Sequence, residues 1–137
     1  MWILFAFGSA LFAGLTSVLA KRGIKKTDSD AATAIRTIVV LIFSWLMVWI
    51  VGSAPTITGL SAKTWIFLIL SGIATGASWL CYYKALQDGL ASVVVPIDKL
   101  SILVSIGFSA LVFKERLSKK AAVGLVLIVS GTLIMLI

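Results

Sequence analysis

A stripe of polar and charged residues runs through an otherwise aliphatic stretch of this chain. In the segment VVVPIDKLSILVS, Asp98 and Lys99 closely follow Pro96. The polar residues recur at spacings of three and four, which places them on one face of a helix: Asp98, Ser101, Ser105 and Ser109. Within a membrane, a carboxylate there could exchange a proton, and Lys99 could neutralise that carboxylate or meet an anionic substrate. Pro96 removes a backbone donor and loosens the helix at this point.

The elements that must position these residues are membrane-spanning helices. The chain has 137 residues, of which 61% are hydrophobic and 12% charged, whereas about a quarter of the residues in a soluble domain are charged. A helix needs roughly 20 apolar residues to cross a bilayer. Five such blocks are present, at residues 2–20, 34–52, 64–83, 90–113 and 121–137. We predict an all-α membrane protein, a bundle of five transmembrane helices forming a single domain over residues 1–137.

The depth of Asp98 and Lys99 has two interpretations. If the fourth helix begins at residue 90, Asp98 lies roughly 12 Å into it, near the midplane, where a charge costs at least about 2.5 kcal/mol and indicates a wet cavity or a partner. If the helix begins at residues 93–95, both residues lie in its first turn. Lys99 then reaches the headgroups, and the helix dipole favours Asp98.

The third predicted helix carries small and aromatic residues on one face. Gly72 and Gly76 form a GxxxG pair that is typical of close helix packing. Trp79 and Tyr83 could bind an apolar or cationic substrate through their ring faces, and Trp and Tyr are also typical of the interfacial belt. We predict that both line a substrate site.

Two other pairs of residues have predicted structural roles. Gly124 and Gly131 share a face of the fifth helix and indicate close helix packing or a subunit interface. Arg36 and Glu115 are charged residues near predicted helix ends. Each is a candidate for gating, by latching a loop in one state, although a solvated or headgroup-paired role explains them equally well.

The positive charges are nearly balanced between the two faces of the membrane. Five spans place six on one face: Lys21, Arg22, Lys25, Lys26, Arg36 and Lys84. The opposite face has five, or six with a free amino terminus: Lys63, Lys114, Arg116, Lys119 and Lys120. Because orientation follows the Lys/Arg excess, this balance predicts insertion in both orientations and an antiparallel homodimer. The alternative is one dominant orientation with a misassigned boundary charge.

Three sequence features carry a resemblance to a known family. They are Lys21 with Arg36 opening the second helix, the segment YYKALQDGLASVVVPIDKLSILVS, and the segment LVFKERLSKKAAVGLVLIVSGTLIM. Over essentially its whole length the chain resembles a single EamA-type domain of the drug/metabolite transporter superfamily. Many members carry two such domains in opposite orientations and move metabolites or drugs across the cytoplasmic membrane. The last helix also resembles that of small multidrug resistance proteins, but residues 1–20 lack the glutamate that binds cation and proton in that group.

These features favour a secondary transporter that works by alternating access. We expect a multi-pass protein of the cytoplasmic (cell inner) membrane whose partners are lipid, a small-molecule substrate and a second, antiparallel copy. A structural or accessory membrane subunit is the alternative. With no histidine, one cysteine and no Walker-type loop, the sequence indicates no enzyme, metal or cofactor. We read the positive charge as facing headgroups, not nucleic acid.

Overall fold

The chain folds into helices joined by turns and short irregular segments. The computed structural model describes residues 1–137 and contains no strand. The α-helices are α1 (Trp2–Gly23), α2 (Ser29–Val51), α3 (Ala62–Asp88), α4 (Ala91–Asp98), α5 (Ser101–Val112) and α6 (Lys119–Met135). Short 3₁₀ turns, Ile24–Lys26 and Ala54–Gly59, follow α1 and α2.

Four stretches are long and apolar enough to cross a membrane. They are Trp2–Lys26, Ser29–Val51, Ala62–Asp88 and Ala91–Val112, and they contain most of the first four predicted blocks. The fifth block corresponds to α6, which has 17 residues and a length of roughly 25 Å at 1.5 Å per residue. The count of five transmembrane helices therefore stays a prediction.

Two helices extend five residues beyond one end of their predicted apolar blocks. Helix α2 begins at Ser29 instead of residue 34, and α3 ends at Asp88 instead of residue 83. Hydropathy marks only the apolar part of a helix, whereas backbone hydrogen bonding continues through polar turns at its ends. Arg36 therefore does not open the second helix but lies seven residues after its start, about 10 Å along its axis.

The end of α2 is set by a glycine. Gly52 has a φ of 76°, in the left-handed region, which glycine adopts without the steric cost of a Cβ. The Ser53 amide then donates to the Val48 carbonyl at 3.0 Å. This closing pattern satisfies a terminal carbonyl of the helix and turns the chain away from it.

The predicted fourth helix begins where the longer interpretation places it and then breaks. Helix α4 starts at Ala91, so the interpretation with a start at residues 93–95 is wrong. After Asp98, the last residue of α4, backbone bonding tightens to a spacing of three residues, with the Leu100 amide donating to the Ile97 carbonyl at 2.9 Å. Pro96 lies inside α4 and lacks the N–H that would continue the ladder.

The helices form two compact units, residues 1–88 and residues 89–137. In the first unit, α3 contacts both α1 and α2; in the second, α4 contacts α6. The apolar residues that are buried are Ile24, Tyr83 and Leu86. Most large apolar side chains along the helices are exposed, far more than a soluble monomer leaves uncovered. In a membrane protein, such surfaces face lipid or other helices.

Candidate functional site

In the first unit, the guanidinium of Arg36 lies against two aromatic rings of α3. Its Cζ is 4.0 Å from the centroid of the Trp79 ring and 5.6 Å from that of Tyr83. Both distances fall within the approximately 6 Å range of cation–π attraction. Trp79 and Tyr83 are one helical turn apart, so they present their rings on the same side of α3. The structure thus brings together three of the predicted site residues.

This contact changes the interpretation of the two aromatic residues. The sequence suggested that Trp79 and Tyr83 offer their ring faces to a substrate. In the structure the cation beside those rings is the chain's own Arg36. A cationic substrate on the same face of Trp79 would have to displace a tethered guanidinium.

Arg36 has no carboxylate partner. The ion pairs of the chain are Lys84 with Asp88 at 3.5 Å and Lys99 with Asp98 at 3.7 Å. The Arg36 guanidinium forms no hydrogen bond with the chain, and its described contacts are the two rings. Its positive charge and its N–H donors are therefore available to a ligand.

Arg36 lines an open groove whose walls come from α1 and α2. The groove has a volume of about 480 Å³, within the roughly 300–1,000 Å³ typical of small-molecule sites. Its lining consists of Thr16, Leu19, Ala20, Gly23, Ile24, Thr27, Ala32, Ile35, Arg36, Val39, Val40 and Tyr83. Arg36 is the charged residue of this set, and Tyr83 is the contribution of α3. The surface is mostly apolar with a single positive group.

Hydrogen bonds join α3 to α1 and to the turn that follows α1. They connect Ser17 Oγ with Tyr82 Oη (2.6 Å), Gln87 Nε2 with the Thr27 carbonyl (2.8 Å), and Lys21 Nζ with the Leu86 carbonyl. Ile24 and Leu86 are fully buried in the same region. Packing and hydrogen bonds therefore stabilise the end of the first unit that carries the groove.

The second unit contains the other predicted charged pair. Asp98 and Lys99 are paired through Oδ2 and Nζ, and their side chains are 37% and 58% exposed. Asp98 ends α4, whereas Ser101 and Ser105 belong to α5 and are exposed. The predicted polar stripe therefore crosses a helix break, because Asp98 and the serines lie on different helices.

The remaining predicted residues make no contact that assigns them a role. A Cβ built on any of the four predicted packing glycines would have no atom of the chain within 4 Å: Gly72, Gly76, Gly124 and Gly131. The packing of these glycines against a second copy of the chain stays a prediction. Glu115 forms no ion pair, and its amide donates to the Ser109 carbonyl at 3.4 Å where α5 ends. The gating roles of Arg36 and Glu115 also stay predictions.

Sequence reasoning missed the contact between Arg36 and the rings and the bond between Ser17 and Tyr82. Arg36 precedes Trp79 by 43 residues and Ser17 precedes Tyr82 by 65, so no local periodicity connects them. One signal was present: Arg36 is the charged residue of an otherwise uncharged, mostly apolar segment from residue 31 to residue 51. Such a residue marks a functional site by default. No cluster of side chains in the chain has the composition of a metal site.

The sequence matches the EamA-like transporter family over residues 1–137. It is 42% identical over 134 residues to a Sinorhizobium protein described as an uncharacterized transporter in the cobO 3′ region, covering 98% of this chain and 95% of that protein. It is also 30% identical over 103 residues to an uncharacterized protein of Methanocaldococcus jannaschii, covering 69% of this chain and 75% of that protein.

No solved structure matches the chain. Members of the matched family are transporters and not enzymes. The apolar helices agree with a multi-pass membrane location. The chain therefore belongs to the EamA-like transporter family and is a membrane transporter of the drug/metabolite type.

Proposed function

We propose that this protein is a secondary transporter that moves small metabolites or drug-like molecules across the cytoplasmic membrane by alternating access. The working unit is a homodimer of two oppositely oriented copies. In such transporters, the substrate path lies where two inverted repeats meet, and unwound helix segments contribute to it.

The observation that carries this proposal is the charged pair at the break between α4 and α5. Asp98 and Lys99 lie seven and eight residues into the 22-residue apolar stretch Ala91–Val112. Charged side chains at that depth are expensive unless they face water or a partner. Their side chains are also incompletely covered by the chain itself. An aqueous path shared with a second copy supplies the environment that they need.

The homodimer is supported by three further features. The Lys and Arg residues are almost evenly divided between the two predicted faces, which favours insertion in both orientations. The predicted packing glycines have open space beside them, which allows another backbone to approach. The match covers 95% of the Sinorhizobium relative, so that relative is also about as long as this single domain.

The experiment that tests transport uses purified protein in liposomes loaded with a small-molecule extract of the host cells. Compounds that leave the lumen faster than from protein-free liposomes are identified by mass spectrometry. We expect a defined set of compounds to leave, and Asp98→Asn or Lys99→Ala to slow their loss. Each substitution removes one charge of the pair that we place beside the aqueous path.

The matched control is the other ion pair of the chain, Lys84 with Asp88, which is exposed at the end of α3. Asp88→Asn and Lys84→Ala remove the same charges and should leave flux close to that of the unchanged protein. If the protein releases no compound from this mixture, the structural or accessory role replaces transport. If both sets of variants slow release equally, the Asp98 pair has no special part in the path.

A further inference from the structure

The unpaired charge of Arg36 in the first unit points to a binding site of its own. Arg36 lines the groove of about 480 Å³ between α1 and α2, and its guanidinium forms no ion pair with a carboxylate of the chain. We propose that this groove binds a small organic monoanion with an apolar body, whose carboxylate or phosphonate group is held by Arg36. Only the further step, that this anion is transported cargo, rests on the proposed transport function; the binding does not.

The position of the guanidinium argues against a simple contact with lipid headgroups. An arginine near the end of a span normally extends toward the headgroups. Arg36 lies seven residues after the start of α2, and its guanidinium is closest to Trp79, which lies nine residues before the end of α3. The ring of Tyr83, which is nearer to that end of α3, is farther from the guanidinium, at 5.6 Å. The rings therefore hold the charge inside the apolar segment.

The chemistry of the lining selects the class of ligand. A guanidinium offers planar paired N–H donors that match a carboxylate or a phosphoryl group. The rings lie beside the guanidinium carbon, and the N–H donors of the guanidinium form no hydrogen bond with the chain that would compete with a ligand. The rest of the lining is mainly aliphatic, with hydroxyl groups on Thr16 and Thr27. One positive group in an apolar groove suits a single negative charge on an apolar body, and it repels a cation.

The test compares three probes with the same apolar body: phenylacetate, phenethylamine and phenethyl alcohol. Their binding to the full chain in zwitterionic phosphatidylcholine nanodiscs is measured by isothermal titration calorimetry. We expect saturable binding of phenylacetate, binding of the alcohol that is weaker by about tenfold or more because the charge-assisted bond is missing, and no binding of the amine. This comparison needs no variant, so it stands even if substitution of Arg36 prevents folding.

Variants then assign the binding to Arg36. Arg36→Gln should weaken phenylacetate binding by about tenfold or more and leave the alcohol unchanged. Arg36→Lys should be intermediate, since it keeps the charge and loses the planar donors. Arg22→Gln is the matched control, because Arg22 is an exposed arginine in the last turn of α1 that does not line the groove. It should bind phenylacetate as the unchanged protein does.

Several results would overturn the proposal. They are the absence of saturable phenylacetate binding, equal binding of the amine, and equal losses in the Arg36 and Arg22 variants. A fourth is the loss of phenylacetate binding in nanodiscs that contain phosphatidylglycerol, which would assign Arg36 to anionic lipid. Binding without any flux of phenylacetate in liposomes would leave the site intact and refute only its role in transport.

Discussion

The contact between Arg36 and Trp79 predicts a measurable energetic coupling between α2 and α3. Arg36→Met removes the charge and keeps an unbranched side chain, and Trp79→Leu removes the ring and keeps an apolar residue. If the guanidinium stabilises the fold through the ring, the double variant should lose less stability than the sum of the two single losses. The difference is the coupling free energy of the pair.

The geometry sets the expected size of this coupling. The guanidinium is 4.0 Å from the Trp79 centroid and both residues are half-buried. Cation–π pairs contribute about 0.5–1 kcal/mol at exposed sites and about 2 kcal/mol when desolvated, with Trp the strongest partner. We therefore expect a coupling of about 1–2 kcal/mol. The Tyr83 ring, whose centroid is 5.6 Å from the Arg36 Cζ, is present with and without Trp79. Its contribution therefore cancels from the coupling free energy.

The assay is reversible unfolding by sodium dodecyl sulfate in mixed micelles, followed by far-ultraviolet circular dichroism. The control cycle combines Arg36→Met with Trp49→Leu. Trp49 is 77% exposed and lies about 20 Å from Arg36 along α2, so the two losses should add. A coupling for Arg36 and Trp79 within the roughly 0.5 kcal/mol scatter of independent sites would refute the stacking interaction.

Two further predictions address the link between α1 and α3 and the orientation of the chain. Ser17 donates to the Ala13 carbonyl at 3.0 Å, so Tyr82 donates to Ser17. In the same unfolding assay, Ser17→Ala and Tyr82→Phe should show a coupling free energy of roughly 0.6 kcal/mol, the average for hydrogen bonds between membrane helices. Fully additive losses would show that the two residues share no bond. The unchanged chain is fused at its carboxyl terminus either to alkaline phosphatase, which is active outside the cytoplasm, or to green fluorescent protein, which fluoresces inside it. Both fusions should give a signal. Neutralising Lys63 and Lys120 should abolish the phosphatase signal and keep the fluorescence, because the Lys/Arg excess then marks the face with the carboxyl terminus as cytoplasmic. An unchanged ratio of the two signals would exclude charge balance as the cause of insertion in both orientations.

Much of the fold could be predicted from hydropathy. The first four apolar blocks correspond to the four stretches long enough to span a membrane, because an apolar run of that length has few other stable environments. The helix ends were less accurate, since the polar turns before residue 34 and after residue 83 remain helical. Pro96 marked the region where the predicted fourth helix breaks, whereas the exact break after Asp98 depends on backbone bonding.

The sequence by itself determined the class of molecule: a helical membrane protein with the motifs of one transporter family and a few ionisable groups inside its apolar segments. Composition and local periodicity carry that information because whether a helix is stable in the bilayer depends mainly on its own residues. Only the tertiary structure decided that Arg36 lies on Trp79 and Tyr83 beside an open groove. Contacts between residues far apart in the chain depend on how helices pack, and no spacing within a single helix encodes them.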